Sequence, residues 1–488
     1  MKLPKSFCLL VLTLLALVVQ QCRIEAYGAN PAAGSDKAAS STSKSEKTSA
    51  AQDDYYELYQ LLADTVDQVD RNYVKPVDRR ELIEAAIRGM MTKLDPYSSY
   101  IGPEELAQFR SSVDSEFGGI GIQVSLDDGD LKVLSPIYGT PAYRAGIQAG
   151  DRIVEIDGKS TEGLQTDDAI RMMKGASGTK VSIAVVHAGS RKREKYTLTR
   201  EIVHVETVLG DRRNKNDRWE YMYDEKYAIG YIRVSTFSLD TAKELRGAME
   251  DLKKRKLRGL VLDMRFNPGG LLRSAIEIGK LYVSKGRIVS TKGRNSPERV
   301  WDADGSDEVF EGFPMVVLVN HFSASASEIV AACLQDHQRA VIMGERTWGK
   351  GSVQNIIELE NGRSALKLTT AAYRRPSGKN IHRFPDSKDK DEWGVMPDLG
   401  YELAIDDRET RALAADRRAR DIIAARAGDD RSAGVQKDEP LARRPASTSP
   451  DATPRAADTP AKTSAAKQPF VDRQLEMALK YLREELGK

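Results

Sequence analysis

Three serines lie in a short segment that joins a predicted strand to a predicted helix. Ser323, Ser325 and Ser327 follow the apolar run Met315 to Val319, and helical spacing resumes at Glu328. A hydroxyl at a helix N-terminus lies at the positive end of the helix dipole, which favours an alkoxide nucleophile. Serine is also a preferred helix N-cap. The segment alone therefore predicts either a nucleophile or a cap, and it does not separate the three serines.

A lysine that follows the next apolar run adds a second reactive group. Lys350 is flanked by Gly349 and Gly351. A lysine that is removed from water loses its proton more readily, and the neutral amine is a general base. The alternative is a solvated loop charge. Together with the serines, Lys350 favours the prediction that one serine is a nucleophile and that the lysine activates it.

Composition excludes several classes of function. An apolar run, Phe7 to Val19, follows Lys2 and Lys5 and predicts a secretory signal; an uncleaved membrane anchor is the alternative. Outside that region Cys333 is the one remaining cysteine, so intrachain disulfides and Cys₄ or Cys₂His₂ metal sites are excluded. The formal net charge is +2, which falls near zero without the basic signal region and argues against nucleic acid as a partner.

Composition and hydrophobic spacing then change several times along the chain. Asn30 to Gln52 is rich in Ala, Ser and Lys and predicts a flexible tether. Helical spacing begins at Tyr55; the N-terminal helices predict a cap packed on the next domain, and the narrow apolar stripe of Tyr55 to Tyr73 also suits a dimer seam. Strands and helices alternate from Glu201 to about Ala404, which predicts α/β layering. A final amphipathic helix, Phe470 to Leu486, requires an apolar partner, either its own core or another subunit.

Between these regions lie short alternating strands with glycine turns. Gly118-Gly119-Ile120-Gly121 precedes a strand that begins at Ile122, and the segment AGIQAGDRIVEIDG spans Ala145 to Gly158. This stretch resembles a PDZ domain. In that family a glycine-rich loop turns backbone N–H groups toward a peptide's terminal carboxylate, and the peptide adds a strand to the sheet edge. The alternative for the glycine run is a simple turn.

Across roughly Tyr55 to Leu403 the chain resembles the carboxyl-terminal processing, or tail-specific, peptidases. The resemblance is carried in order by NYVKPVDRRELIEAAIRGMMTKLDPYSSY, by the PDZ segments, and by DMRFNPGG, SASASE, GERTWGKGSVQ, YRRPSGKNI and GVMPD. It implies that Ser325 is the nucleophile, Lys350 the general base and Gln354 a third member that orients the lysine by hydrogen bonding. It further implies an oxyanion hole formed by a glycine amide, Gly269 or Gly270, and the amide of Ala326. No cofactor is expected.

The resemblance also implies an architecture. We expect an α+β multidomain protein with an N-terminal helical region, a PDZ domain built as a small β-barrel with two helices, an α/β core of the Clp-protease/crotonase-like type, and a C-terminal helical region. The expected divisions are a signal peptide at 1–28, a tether at 29–52, the helical region at 53–113, the PDZ domain at 114–200, the Ser-Lys core at 201–404, a helical extension at 405–427, a disordered linker at 428–467 and a C-terminal helix at 468–488.

The expected function is that of an exported, periplasmic serine endopeptidase that selects proteins by their C-terminal tails. Expected partners are proteins with exposed C-termini, an adaptor protein that delivers substrates, and further copies of the chain bound through the terminal helices. A trypsin-like triad is not favoured, because no histidine precedes His187. The alternative from another class is a PDZ scaffold with an inactive core.

Overall fold

The computed structural model describes residues 45–106, 117–295, 297–305, 309–424 and 470–488; for residues 45–54 and 117 it describes the backbone. The predicted signal peptide and disordered linker lie outside these residues. The helices are α1 (Ser45–Asn72), α2 (Arg79–Thr92), α3 (Pro141–Arg144), α4 (Thr166–Met173), α5 (Thr241–Lys254), α6 (Leu272–Tyr282), α7 (Ala326–Asp336), α8 (Asp407–Asp421) and α9 (Arg473–Gly487).

The N-terminal region consists of α1 and α2 followed by one short strand. Helix α1 begins at Ser45, eight residues before the predicted start of the helical region at residue 53, because Glu46, Ala50 and Gln52 are good helix formers. Its apolar stripe is exposed, with Tyr56 at 74% and Tyr59 at 71% of full exposure. Asp78 caps α2 by accepting the N–H groups of its first turn.

An antiparallel sheet with two helices forms the glycine-rich domain. Its strands are β3 (Ile122–Asp127), β4 (Asp130–Pro136), β5 (Arg152–Ile156), β6 (Lys159–Ser160), β7 (Lys180–Val186) and β8 (Arg193–Thr199). They run in the order β3-β4-β5-β7-β8, with β6 paired to β5, so β3 is an edge strand of this sheet. A separate ribbon pairs β2 (Phe117–Gly119) with β9 (Glu201–Val203).

The α/β core is a sheet of largely parallel strands. Its members are β10 (Val208–Leu209), β13 (Met222–Asp224), β14 (Ile229–Val234), β15 (Gly259–Asp263), β18 (Met315–Val319) and β19 (Val341–Gly344). Strands β14, β15, β18 and β19 are adjacent and parallel, whereas β10 and β13 pair antiparallel with β14. A small hairpin of β11 (Arg212–Arg213) and β12 (Trp219–Glu220) follows β10 in the chain.

Both faces of this sheet are covered, because its parallel strands are apolar on both sides. Helices α5, α6 and α7 bury one face with residues such as Leu245, Ile278 and Val330. Helix α9 covers the other face, where Leu479 and Leu482 pack on Val261 and Leu318. Of the two partners predicted for the apolar face of α9, the structure shows the core of its own chain.

A second sheet links the N-terminal region to the core. It contains β1 (Ser99–Ile101), β16 (Lys285–Gly293), β17 (Arg299–Asp304), β20 (Ser352–Leu359) and β21 (Ser364–Arg374). Strand β21 pairs with β1, β16 and β20. Because β1 belongs to the N-terminal region, this pairing brings the turn before β1 close to the loop that carries Lys350.

Candidate active site

Three loops meet at the carboxyl end of the core sheet. They follow the adjacent parallel strands β15, β18 and β19, and they carry respectively the Asn-Pro-Gly-Gly segment, the serines and Lys350. The carboxyl ends of neighbouring parallel strands are the usual place for a site in an open α/β sheet. The candidate site residues, which the sequence places on three separate segments, therefore lie at one edge of the core sheet.

Hydrogen bonding separates the three serines. Ser323 Oγ donates to the Met264 carbonyl at 2.8 Å, and Ser327 Oγ donates to the Asn267 carbonyl at 2.9 Å. Both side chains are fully buried, so these bonds hold the serine turn against the loop after β15. Ser325 is half-buried, and within the described residues its hydroxyl donates to no acceptor.

Ser325 is also the N-cap of α7. It forms a capping box in which the Glu328 carboxylate accepts the Ser325 N–H at 2.8 Å. Its φ of 56° is unusual for a residue other than glycine, and such backbone strain concentrates at functional positions. The two interpretations of the serine segment, cap and candidate nucleophile, thus apply to the same residue.

The loop after β15 lies directly against Ser325. A Cβ on Gly269 would stand 2.8 Å from the Ser325 Cβ and 3.0 Å from the Ala326 nitrogen, so only glycine fits there. The Gly269 N–H already donates to Asn267 Oδ1 at 2.9 Å. Within the described residues the N–H groups of Gly270 and Ala326 have no acceptor. The Gly270 and Ala326 amides can therefore donate to a ligand, whereas the Gly269 amide already has an acceptor.

Glu328 joins the serine and lysine loops. Its carboxylate is fully buried and accepts four hydrogen bonds: from Thr347 Oγ1 and Gly349 N at 2.6 Å, and from Ser325 N and Lys350 N at 2.8 Å. Burial raises the pKa of Glu328 to about 7, although the four donors favour the charged form. All four partners donate, so the geometry is that of a carboxylate acceptor. The sequence analysis missed this role; the signal was a glutamate at the third helical position after Ser325.

The Lys350 amine has the environment that a general base requires. Burial lowers the pKa of Lys350 below its usual 10.5, and the charge of Glu328 opposes that shift. No hydrogen bond joins Lys350 Nζ to Ser325 Oγ within the described part of the chain. Catalytic hydrogen bonds are often absent or long before substrate binds.

The Gln354 side chain has hydrogen-bond partners other than Lys350. Its amide nitrogen donates to Ser352 Oγ at 2.8 Å and to Thr369 Oγ1 at 3.1 Å. Among the described residues it forms no hydrogen bond with Lys350. Gln354 therefore lies near the start of β20, just after the lysine loop, and its side chain contacts β21.

The predicted peptide-binding residues lie together at the start of the edge strand β3. Gly118, Gly119, Ile120, Gly121 and Ile122 connect β2 to β3. The Gly118 carbonyl accepts the Gly175 N–H at 3.0 Å, and the Gly121 carbonyl accepts the Ile137 N–H at 2.9 Å. Helix α4 packs beside β3, and the free edge of β3 faces away from β4. An edge strand beside a helix is the geometry that accepts an added peptide strand.

Comparison with known proteins agrees with this arrangement. Residues 228–399 match peptidase family S41, residues 132–186 match a PDZ domain, and residues 20–105 match the N-terminal domain of the activating protease CtpB. The fold and site therefore define a serine-type peptidase that carries a PDZ domain.

Individual relatives narrow the class. A carboxy-terminal-processing protease of Bartonella bacilliformis is 39% identical over 75% of this chain and 82% of its own length. The carboxy-terminal processing protease CtpA of Bacillus subtilis is 36% identical over 69% of this chain and 67% of its own length. A solved photosystem II D1 C-terminal processing protease is 30% identical, covers 75% of this chain and 98% of its own, and has a TM-score of 0.42. The chain belongs to the carboxy-terminal processing proteases.

Proposed function

We propose that Ser325 is the nucleophile and Lys350 the general base of a protease that forms an acyl-enzyme. One observation carries this proposal: Ser323 and Ser327 donate their protons to buried carbonyls, whereas the half-buried Ser325 keeps its proton available. Glu328 joins the backbone of Ser325 to that of Lys350, whose amine burial drives toward the neutral form. We also propose that the core is of the Clp-protease/crotonase-like type, with the domain divisions predicted from the sequence.

In the proposed reaction the neutral Lys350 amine takes the Ser325 proton as Oγ attacks the scissile carbonyl. The resulting ammonium returns that proton to the leaving amine, so the peptide C–N bond breaks and an ester forms on Ser325. The neutral lysine then takes a proton from water as the water attacks the ester, and it returns that proton to Ser325 Oγ as the ester C–O bond breaks and the acid is released. The Gly270 and Ala326 amides stabilise the tetrahedral oxyanion, and each such donor contributes roughly 3 to 4 kcal/mol in comparable sites.

Active-site labelling tests this assignment. A fluorophosphonate should modify Ser325, and peptide mapping by mass spectrometry should locate the phosphonate there. Ser325→Ala should abolish both labelling and cleavage. Ser182→Ala is the matched control, because Ser182 lies on β7 in the PDZ domain and its hydroxyl has no hydrogen-bond partner among the described residues. Cleavage by Ser325→Ala at the wild-type rate would refute the Ser-Lys assignment and would leave the inactive-scaffold alternative excluded as well.

We propose that the PDZ domain captures substrate C-termini along β3, with the loop from Gly118 to Ile122 receiving the terminal carboxylate. A fluorescent peptide with an apolar C-terminus should bind Ser325→Ala protein, and the same peptide with an amidated C-terminus should bind at least tenfold more weakly, since it lacks the charge that the loop amides bind. Equal affinity of the two peptides would contradict the proposal.

Contacts between the PDZ domain and the core suggest that capture also regulates cleavage. Tyr143 OH donates to Asp217 Oδ2 at 2.8 Å, and the Ile423 N–H donates to Ser135 Oγ at 3.1 Å. We propose that peptide binding shifts the balance of these contacts. Tyr143→Phe should raise basal cleavage of an unfolded substrate and reduce its stimulation by a C-terminal peptide. Deletion of 118–187 with unchanged rate and selectivity would refute the regulation.

Export and self-association complete the proposal. We propose that 1–28 directs export to the periplasm, which cell fractionation and N-terminal sequencing of the mature protein would test; no helix in the described ranges is long and apolar enough to cross a membrane. We propose that the exposed stripe of α1 pairs with a second copy of the chain. Leu58→Glu should convert the oligomer to a monomer by light scattering, and a wild-type monomer at micromolar concentration would contradict this.

A further inference from the structure

The turn between α2 and β1 reaches the lysine loop. Tyr97 is half-buried in this turn, and its ring centre lies 5.2 Å from Lys350 Nζ. Its hydroxyl accepts a hydrogen bond from Trp348 Nε1 at 3.2 Å. Trp348 and Lys350 flank Gly349, so one tyrosine from the N-terminal region contacts the lysine loop on both sides of that glycine.

A second connection from the same turn leads to Gln354. Thr369 Oγ1 donates to Asp95 Oδ1 at 3.2 Å and accepts from Gln354 Nε2 at 3.1 Å. The Thr369 N–H donates to Ser98 Oγ at 3.1 Å, and Ser98 Oγ donates to Asp95 Oδ2 at 2.8 Å. Thr369 therefore joins the N-terminal turn to the side chain of Gln354.

Hydrogen bonds and strand pairing hold the turn between α2 and β1 in one position. Asp95 Oδ1 accepts the N–H groups of Tyr97 and Ser98 at 2.7 and 2.8 Å, which closes the turn on itself. Strand β1 follows at once and pairs with β21, where Ser99 lies opposite Lys367. The N-terminal region is thus continuous with the sheet that carries Gln354 and Thr369.

We propose that the turn from Asp95 to Ser98 is part of the active site, in which Tyr97 excludes water from the Lys350 amine and Asp95 positions Gln354 through Thr369. Both are positioning residues. The inference rests on the proposed role of Lys350 and on the orienting role that the resemblance implies for Gln354. It goes beyond both, because it assigns a catalytic contribution to a region that the sequence predicts as a helical cap.

Water has a route to the amine if the ring is removed. A cavity of about 1340 Å³ is lined by Tyr97, Trp348 and Thr369, and among the described residues its lining does not include Lys350. Ring contact with an ammonium favours the charged lysine, but burial is the larger influence on Lys350 and favours the neutral amine. Loss of the ring would therefore admit water and raise the pKa of Lys350.

Other titratable groups face the same space, and the His382 ring is in edge-to-face contact with Tyr97 itself. The Glu328 carboxylate favours the ammonium form of Lys350. Lys367 has its pKa lowered to about 8 by burial and by the charge of Lys350, with Asp95 opposing. Burial also lowers the pKa of His382, and Asp95 opposes that shift too. The pH profile of Tyr97→Ala is therefore compared with that of Tyr97→Phe, which keeps a ring against both Lys350 and His382.

The first test compares Tyr97→Ala with Tyr97→Phe. The pH dependence of kcat/KM and of Ser325 labelling by the fluorophosphonate is measured for both. Tyr97→Ala should move the acid limb upward by about one pH unit and slow labelling at neutral pH about tenfold. Tyr97→Phe keeps the ring and should stay within about twofold of wild type. An unshifted acid limb in a folded Tyr97→Ala protein would overturn the role of Tyr97.

The second test removes the link to Gln354. Thr369→Val deletes the hydroxyl between Gln354 and Asp95 with little change of shape, and it should lower kcat about tenfold with KM within twofold. The control is Thr370→Val, whose hydroxyl accepts from the exposed Asn355 side chain and which should retain wild-type kcat. Equal kcat values for the two variants would overturn the link.

The outcomes also separate this inference from the proposed function. If Ser325 is not labelled in the wild-type protein, the Ser-Lys assignment fails. If Ser325 is labelled in every variant with one common pH profile, the assignment stands and the inference fails alone.

Discussion

Arg265 and Asp472 are 207 positions apart in the chain, yet they form a buried ion pair with nitrogen–oxygen distances of 2.7 and 2.8 Å. The Arg265 side chain has no exposed surface, and it also contacts Asp263 at the end of β15 and Gln474 in α9. Arg417 of α8 binds Asp263 as well. The two C-terminal helices are therefore anchored next to the loop that carries Gly270.

We call these contacts of Arg265 and Arg417 with Asp263 and Asp472 the C-terminal clamp. The clamp predicts that the C-terminal segment is required for activity. Asp472→Asn leaves the Arg265 charge partly uncompensated, and breaking a buried pair in this way costs about 3 to 5 kcal/mol of unfolding free energy. Cleavage should fall together with stability. Arg473→Ala is the matched control, because it breaks an exposed pair with Glu409 and should cost less than about 1 kcal/mol.

A truncation supplies the decisive comparison for the clamp. A chain ending before residue 470 should lose activity, and a synthetic peptide of residues 470–488 added in trans should restore part of it. The same peptide with Asn at position 472 should fail to do so. Full activity of the truncated chain would show that the clamp does not support the site.

Glu328→Gln should disable the enzyme with little change in substrate binding. The carboxylate accepts four donors, whereas an amide presents its own N–H₂ group to two of them, so Ser325 N and Lys350 N, or Gly349 N and Thr347 Oγ1, lose an acceptor. We expect kcat to fall more than tenfold and stability to fall by about 1 to 3 kcal/mol. Glu277→Gln on the surface of α6 is the control, and equal behaviour of both variants would contradict the role of Glu328.

The pH dependence of acylation follows from the lowered pKa of Lys350. The reactive form is the neutral amine, so the rate should rise with pH and level off at the lowered pKa, below 10.5. Lys350→Arg should be inactive, since a guanidinium keeps its proton. An acylation rate that increases as pH falls would be incompatible with a lysine base.

The same shift has a consequence for stability. Between the lowered pKa and 10.5 the folded chain binds fewer protons at Lys350 than the unfolded chain does. The free energy of unfolding should therefore rise with pH across this window, and Lys350→Met should flatten that rise while increasing stability at neutral pH. Chemical denaturation of both proteins at several pH values would measure it.

The three serines should differ in stability as well as in activity. Ser323→Ala and Ser327→Ala each remove a hydroxyl that donates to a buried carbonyl and should cost about 1 to 3 kcal/mol. Ser325→Ala removes a hydroxyl that donates to no described acceptor, so its effect on stability should be smaller while its effect on cleavage is complete. Thermal unfolding of the three variants would show whether this order holds.

Local pattern predicted much of the core. The strand Met315 to Val319 has the predicted bounds, because an apolar run reports burial directly. The sequence also located the loops of Ser325, Lys350 and Gly269-Gly270. Loop residues after neighbouring parallel strands meet at one edge, so their proximity followed once the strand order was known.

The tertiary structure alone decided which residues from distant parts of the chain contact one another. Three serines of one type at regular spacing were equivalent until the fold gave Ser323 and Ser327 acceptors on another loop. The partner of α9, the four donors of Glu328, the acceptor of Gly269 and the contact of Tyr97 with Lys350 likewise depend on chain segments that only folding brings together. The sequence by itself determined which groups are present and in which elements; the fold decided which protons remain available, because that depends on burial and on neighbours no local pattern encodes.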